Sequence, residues 1–262
     1  MSPCRSRFLA AWFGLAALSG CATTLTTDEA GDPWQTTDAG RWSVAATTGA
    51  GSLYDVDAKV GVVDSNFGAP ASIGGDIEGK LGLGVQAEVF AAKDWMVFLG
   101  TEYRLYDPKL DDELVQFDTG QQFELFLGTR WYLPWRFLAN RRLRVFLQGK
   151  LAWIPRVDFD LETRLPFSDP LNDALLVAPF EGSDYWSLGF GGGASYRLAD
   201  AWTLSLSLYY EWALSSSKGR STADLVQATG NTFVDDLLDG LQYDVEVEPY
   251  GLIGFLSLSY SL

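Results

Sequence analysis

The chain predicts an all-β fold: an eight-stranded antiparallel transmembrane β-barrel with extended hairpins at one end. Three observations carry this prediction. Apolar and polar residues alternate with a period of two in eight segments, which places them on opposite faces of a strand. The apolar faces carry no Asp, Glu, Lys or Arg between Leu81 and Leu262. A lipid-facing charge costs about 2–4 kcal/mol at the bilayer midplane, so that absence suits hydrocarbon outside. Finally, short turns after Ala91, Leu133 and Leu198 interleave with four long connections, as in barrels whose two ends meet different compartments.

In chain order, Arg5 and Arg7 precede an apolar stretch from Phe8 to Leu18, which reads as a secretory signal. Leu18-Ser19-Gly20-Cys21 closes it and resembles the lipobox of bacterial lipoproteins. That resemblance implies a signal peptide over 1–20, a diacylglyceryl group on Cys21 and, through Ala22, sorting to the outer membrane. A free cysteine after an ordinary signal is the alternative. Residues 21–40 are polar and rich in Thr, Asp and Gly, a flexible tether behind the lipidated cysteine. The barrel takes 41–262.

The first strand starts at Trp42, with Val44, Ala46, Thr48 and Ala50 on one face and the alternation continuing through Tyr54, Val56, Ala58, Val60 and Val62. In the second, Ile73, Ile77, Leu81, Leu83, Val85, Ala87, Val89 and Ala91 oppose Lys80, Gln86 and Glu88. The third sets Trp95, Val97, Leu99, Thr101, Tyr103 and Leu105 against Met96, Phe98, Glu102 and Arg104. The fourth sets Phe123, Leu125, Leu127, Thr129, Trp131 and Leu133 against Gln122, Glu124, Phe126 and Arg130. A basic turn with Arg136, Arg141 and Arg142 leads to Leu143, Val145, Leu147, Leu151 and Trp153, opposite Arg144, Phe146, Gln148 and Lys150.

The clearest pair runs from Trp186 to Trp212. Trp186, Leu188, Phe190, Gly192, Ala194, Tyr196 and Leu198 share one face. Trp202, Leu204, Leu206, Leu208, Tyr210 and Trp212 share the matching face across the Ala199-Asp200-Ala201 turn. The last strand runs from Tyr250 to Leu262, with Gly251, Ile253, Phe255, Ser257, Ser259 and Ser261 on the polar side. Aromatics fall at both ends of the apolar faces: Trp95, Tyr103, Trp131, Trp153, Trp186, Tyr196, Trp202, Tyr210, Trp212, Tyr250 and Tyr260. A separation of eight to ten residues on strands tilted ~40° spans roughly 20–25 Å, the height of an apolar membrane band, so these residues are read as an aromatic girdle.

Two long segments keep alternating. Val157, Phe159 and Leu161 oppose Asp158, Asp160 and Glu162; Tyr243, Val245 and Val247 oppose Asp244, Glu246 and Glu248. They predict strands that outrun the bilayer, with Pro155 and Pro249 marking bulges at the rim. PLNDALLV and TFVDDLLDGL predict short loop helices.

The eight-strand pattern, the hairpin GGGASYRLADAWTLSLSLYYEW and the terminal LSLSYSL resemble small outer-membrane β-barrels of the OmpA, OmpX and OmpW kind over roughly 41–262. The chain departs from them in ending on Leu262, where Phe is usual, and in its lipobox. The resemblance implies a bacterial outer-membrane location with both barrel termini periplasmic and the long loops extracellular. It also brings in a channel for small hydrophobic molecules, as in the OmpW kind. A soluble lipocalin-like lipid carrier is a further alternative, in which the apolar face would line a cavity.

Inward positions carry Lys80, Glu88, Glu102, Arg104, Glu124, Arg130, Arg144, Lys150, Arg197 and Glu211. An eight-stranded lumen is only wide enough for side chains, so these residues pair into a charge network that plugs it. The chain has no histidine, which removes imidazole catalysis and histidine metal sites. Enzymatic outer-membrane barrels that it resembles use an essential histidine. The expectation is therefore a non-enzyme with no catalytic residues, metal or cofactor. Both cysteines lie in the first 21 residues, so no disulfide framework holds the barrel.

A net charge of −15 argues against nucleic acid. The long segments hold 24 acids against 6 bases. That excess suits solubility and repulsion of non-specific partners, or the binding of divalent cations that bridge to anionic lipopolysaccharide. The expected partners are outer-membrane lipids, lipopolysaccharide and a protein that no motif identifies. The expected role is structural or one of surface interaction through the acidic loops.

Overall fold

The computed structural model describes residues 40–62, 71–92, 94–110, 114–118, 120–133, 142–168 and 171–262, without the side chains of 50–58, 61, 62, 71–81, 106–110 and 117. The signal, Cys21, the tether through residue 39, Arg136 and Arg141 lie outside them.

Eight long strands close into a ring: β1 (Trp42–Val62), β2 (Ala71–Ala92), β3 (Trp95–Leu110), β5 (Gly120–Tyr132), β6 (Leu143–Leu165), β8 (Tyr185–Arg197), β9 (Trp202–Ala213) and β12 (Gln242–Ser261). Each pairs antiparallel with the next, and β12 pairs with β1 from Ser43↔Ser261 to Val62↔Tyr243. Closure removes every free edge, so the backbone donors and acceptors of the ring are satisfied without water.

Polarity decides which face points where. Leu99 is 60% exposed and Trp95 51%, whereas Glu124 and Glu211 are fully buried. The charge-free face is the outer surface and the polar face fills the barrel. A lipocalin-like carrier would need the reverse arrangement.

The aromatics form two outward belts. At the end carrying the short turns, Trp95 pairs with Trp131 in register, and the Trp202 ring lies 4.9 Å from that of Tyr260. Toward the other end, the Trp153 and Trp186 rings lie 6.5 Å apart and those of Tyr210 and Trp212 6.1 Å apart, and Tyr103 pairs with Phe123.

Past the second belt the strands continue and the polarity inverts. On β6 the buried set is Phe146, Gln148, Lys150, Ala152 and Ile154, then Val157, Phe159 and Leu161. The switch from even to odd positions is a bulge at Pro155: between the pairs Phe123↔Arg156 and Leu125↔Trp153, Ile154 and Pro155 oppose Glu124 alone. Beyond it, apolar side chains turn inward while Asp158, Asp160 and Glu162 turn outward. On β1 the register slips at Ser52, which buries Val60 on the side opposite to Val44.

The expected bulge at Pro249 is absent. Pro249 pairs with Val56 in unbroken register. On its other side the neighbouring strand changes from β9 to β10 (Ser217–Thr222) between Tyr250↔Trp212 and Val247↔Ser217. A residue with no N–H fits where the ladder is interrupted anyway.

Four further strands build the extension: β4 (Val115–Phe117), β7 (Ala174–Gly182), β10 and β11 (Asp224–Gln227). β7 pairs with the upper part of β6 and buries Leu176, Ala178 and Phe180. The ALLV half of PLNDALLV is therefore strand rather than helix, because pairing with β6 outweighs the helix preference of Ala and Leu. TFVDDLL does form a helix, α1 (Thr232–Leu238), capped by Asn231 Oδ1, which accepts from the amides of Phe233 and Val234. Leu238 of α1 seats on the apolar core formed by Phe159, Leu161, Leu176, Phe180, Tyr243 and Val245.

Candidate functional site

The lumen concentrates the chain's buried charge. Lys150 lies at its centre, 3% exposed, with its Nζ 2.9 Å from both Glu124 Oε1 and Glu211 Oε2. Arg104 spans the same carboxylates, with Nε 2.9 Å from Glu102 Oε1, Nη2 3.0 Å from Glu124 Oε1 and Nη1 3.8 Å from Glu211 Oε2. Ser187 Oγ donates to Glu211 Oε1 at 2.6 Å. Four strands thus contribute one five-residue charge cluster.

Aromatic rings pack around the cations. Lys150 Nζ lies 5.6 Å from the ring centres of Phe126, Tyr209 and Phe255, and Arg104 lies 5.3 Å from that of Phe255. The ring faces add cation–π attraction where water is excluded.

Nearer the short turns, Glu88 accepts from Ser43 Oγ at 2.9 Å and Gln86 Nε2 at 2.6 Å, 3.6 Å from Arg130 Nη1. Arg130 stacks at 4.4 Å on Phe146 and donates to Gln148 Oε1 at 3.2 Å.

Two of the ten predicted lumen charges are placed at the rim. Arg144 pairs with Asp94 of the β2–β3 turn and stacks on Tyr132. Arg197 donates to the turn carbonyls of Asp200, at 2.6 Å, and Ala199, at 3.3 Å. Lys80 stands at a β-bulge between Gly79 and Leu81, with its side chain outside the described residues.

Sequence reasoning missed the aromatic packing, although Phe126, Tyr209 and Phe255 stood out as rings on a polar face. It also missed why that face carries Gly189, Gly191 and Gly193. A Cβ on Gly193 would lie 2.1 Å from the Leu206 carbonyl and 2.7 Å from the Phe146 ring. For a Cβ at Gly191 the close neighbour is instead backbone, the Leu208 carbonyl at 1.8 Å.

Among the described residues the lumen holds cavities of about 10 Å³ beside Lys150 and about 20 Å³ near Arg130, each enough for about one water molecule. Above Lys150 the apolar core begins, with Ile154, Tyr185 and Ile253 buried. Among the described residues no group of three His, Cys, Asp or Glu is placed to hold a metal ion.

On the outer wall of the extension, Lys218 Nζ is 3.0 Å from Glu246 Oε1, Arg220 Nε is 2.9 Å from Asp244 Oδ1, and Arg156 pairs with Asp158 and, at 2.8 Å, with Glu181. Hydrogen bonds from Ser216 and Lys218 hold the Glu246 carboxyl below its ordinary range.

No protein-family model matches the chain, and no curated protein does. Among solved structures it is similar to the outer membrane protein OprG from Pseudomonas aeruginosa, at 13% identity and a TM-score of 0.54, covering 86% of this chain and 97% of that one. At that identity the likeness is one of fold: a small outer-membrane barrel. A major outer membrane protein from Thermus thermophilus aligns at 16% identity over 84% of this chain and 99% of that one, with a TM-score of 0.41.

The expectation of a non-enzyme is corrected. The matches include the outer membrane protease OmpT from Escherichia coli, at 10% identity, a TM-score of 0.36, and 84% and 97% coverage. A match so remote assigns no chemistry to this chain.

Proposed function

We propose that the protein is a lipid-anchored barrel of the bacterial outer membrane with a structural or surface-interaction role. Lipid is attached at Cys21, both barrel ends are periplasmic, and the long acidic hairpins are extracellular. The observation that carries this reading is the filled lumen. A buried cluster of Glu102, Arg104, Glu124, Lys150 and Glu211 lies beneath a packed apolar core, and the cavity beside Lys150 among the described residues is about 10 Å³. Specificity then belongs to the exposed hairpins, facing lipopolysaccharide and a protein partner. Conductance of the purified barrel in a planar bilayer tests the plug: a flat baseline is expected, and reproducible single-channel openings would overturn it. Palmitate labelling that disappears in Cys21→Ser tests the anchor, and persistent label refutes it.

A channel for small hydrophobic molecules is the second reading. The inward apolar face of the extension, with Phe159, Phe180 and Val245, favours it. Uptake of a hydrophobic probe into proteoliposomes, above that of empty vesicles, decides for it.

A further inference from the structure

Helix α1 carries more apolar surface than the fold uses. At about 100° per residue, its side chains Phe233, Val234, Leu237 and Leu238 span an arc of about 140°, with Asp235 and Asp236 on the remaining side. Only one margin of that arc is packed: Leu238 is 6% exposed, and Val234 rests on the same core. The other margin, Phe233 and Leu237 one turn apart, is 76% and 55% exposed. β11 abuts the end of α1, where the Leu225 amide donates to Asp239 Oδ1 at 3.3 Å. The next residue, Val226, stands out at the bulge of β11, 63% exposed. Single apolar residues scattered on a surface need no explanation, but a stripe that continues a core marks a place where something else packs.

Charge narrows what can cover the stripe. No Lys or Arg follows Arg220 in the chain, and Asp224, Asp236 and Asp239 are all exposed, Asp236 about 60° round the helix from Phe233. A second copy would set these aspartates against one another, and an anionic lipid surface would be repelled. We propose that the Phe233–Leu237 stripe docks a short cationic amphipathic helix of a partner protein. The partner's apolar side chains extend the core over α1, and its Lys or Arg side chains pair with Asp224, Asp236 and Asp239. The inference rests on the surface-interaction reading and gives the protein partner its chemistry. Two anchoring side chains on one helical turn make the contact a transient one.

Fluorescence anisotropy of a labelled Leu–Lys amphipathic helix of about four turns, titrated with the full barrel in dodecyl maltoside and read against empty micelles, tests it. Saturable binding is expected, weakened at least fivefold in the double variant Phe233→Ser with Leu237→Ser. In Asp224→Asn with Asp236→Asn it is expected to weaken several-fold and to lose its salt dependence. All four side chains are exposed, so the barrel keeps its fold. No saturable binding of the Leu–Lys helix, equal affinity in the serine variant, or equal affinity for a Leu–Glu helix of the same length would overturn the proposal. So would self-association in sedimentation, or adhesion of barrel-bearing nanodiscs to anionic vesicles, that the serine variant loses, since the stripe would then serve a second copy or a membrane. Labelling of Thr232→Cys on intact cells with an impermeant maleimide reads the extracellular placement separately. Label without peptide binding fails this inference alone, and peptide binding without label fails the placement alone.

Discussion

Replacing Lys150 by Met isolates what the lumen charges contribute. The ammonium is 2.9 Å from a carboxylate oxygen of both Glu124 and Glu211. At an effective dielectric constant of 20, each contact carries about 6 kcal/mol of gross attraction, most of it cancelled by the desolvation of three buried ions. Met keeps the volume and the contacts with Phe126, Tyr209 and Phe255, so packing loss is small. The carboxylates are left with Arg104 as the shared cation, and removing one partner of a buried pair costs about 3–5 kcal/mol. Urea unfolding of the barrel in lipid vesicles, followed by tryptophan fluorescence and by the heat-dependent shift in gel migration, measures that loss. The double variant Lys150→Met with Glu211→Gln removes a charge of each sign and is expected to recover more than half of it. A single variant within about 0.5 kcal/mol of the parent, or a double variant no better than the single, would refute the electrostatic account.

Gly193→Ala drives a methyl into the Leu206 carbonyl and the Phe146 ring; overpacking of this kind costs about 1–3 kcal/mol, readable in the same urea titration. The pH response of the extension should follow Glu246. Its lowered folded-state value means that its stabilisation is present above the unfolded value of about 4.3 and is lost as pH falls through the folded one. Limited proteolysis of the extension should therefore accelerate in that acid range, and Glu246→Gln should flatten the dependence. Brominated acyl chains should quench the tryptophan emission more than aqueous iodide does, because Trp95, Trp131, Trp186 and Trp202 are exposed on the outer face. Stronger quenching by iodide would place that face in water.

The barrel was legible because lipid enforces a rule at every outward position of a strand. Leu99, Leu127 and Leu151 report it one residue at a time, and no partner segment needs to be known. The extension obeys a subtler rule. Val157, Phe159 and Leu161 were readable as a strand face, but whether that face pointed in or out depended on the bulge at Pro155, as that of Val60 depended on the slip at Ser52, which carries no local mark. Pro249 looked like Pro155 and behaved differently because its neighbour changes from β9 to β10, a long-range fact. PLNDALLV was misjudged for the same reason: its helix-forming Ala and Leu residues matter less than the Val157–Leu165 edge beside them. In the lumen, alternation identified the inward charges. The grouping of five of them, with Lys150 at the centre and Arg144 and Arg197 out at the rim, required the register of four strands.

The inversion of polarity at Pro155 fixes the molecule along the membrane normal. Sliding outward by two residues would draw Trp95 and Trp131 off their interface. Sliding inward by the same amount would carry Arg156 and then Asp158 into the apolar band, at about 0–1 kcal/mol for a cation just inside the interface and rising with depth. A strand of uniform alternation would offer many nearly equivalent depths. This wall has a single zero point, set where its outer side changes from hydrocarbon-loving to water-loving, and it works as a draught mark on a hull. Everything above that mark, including the acidic hairpins, is thereby held at a constant height over the lipid surface.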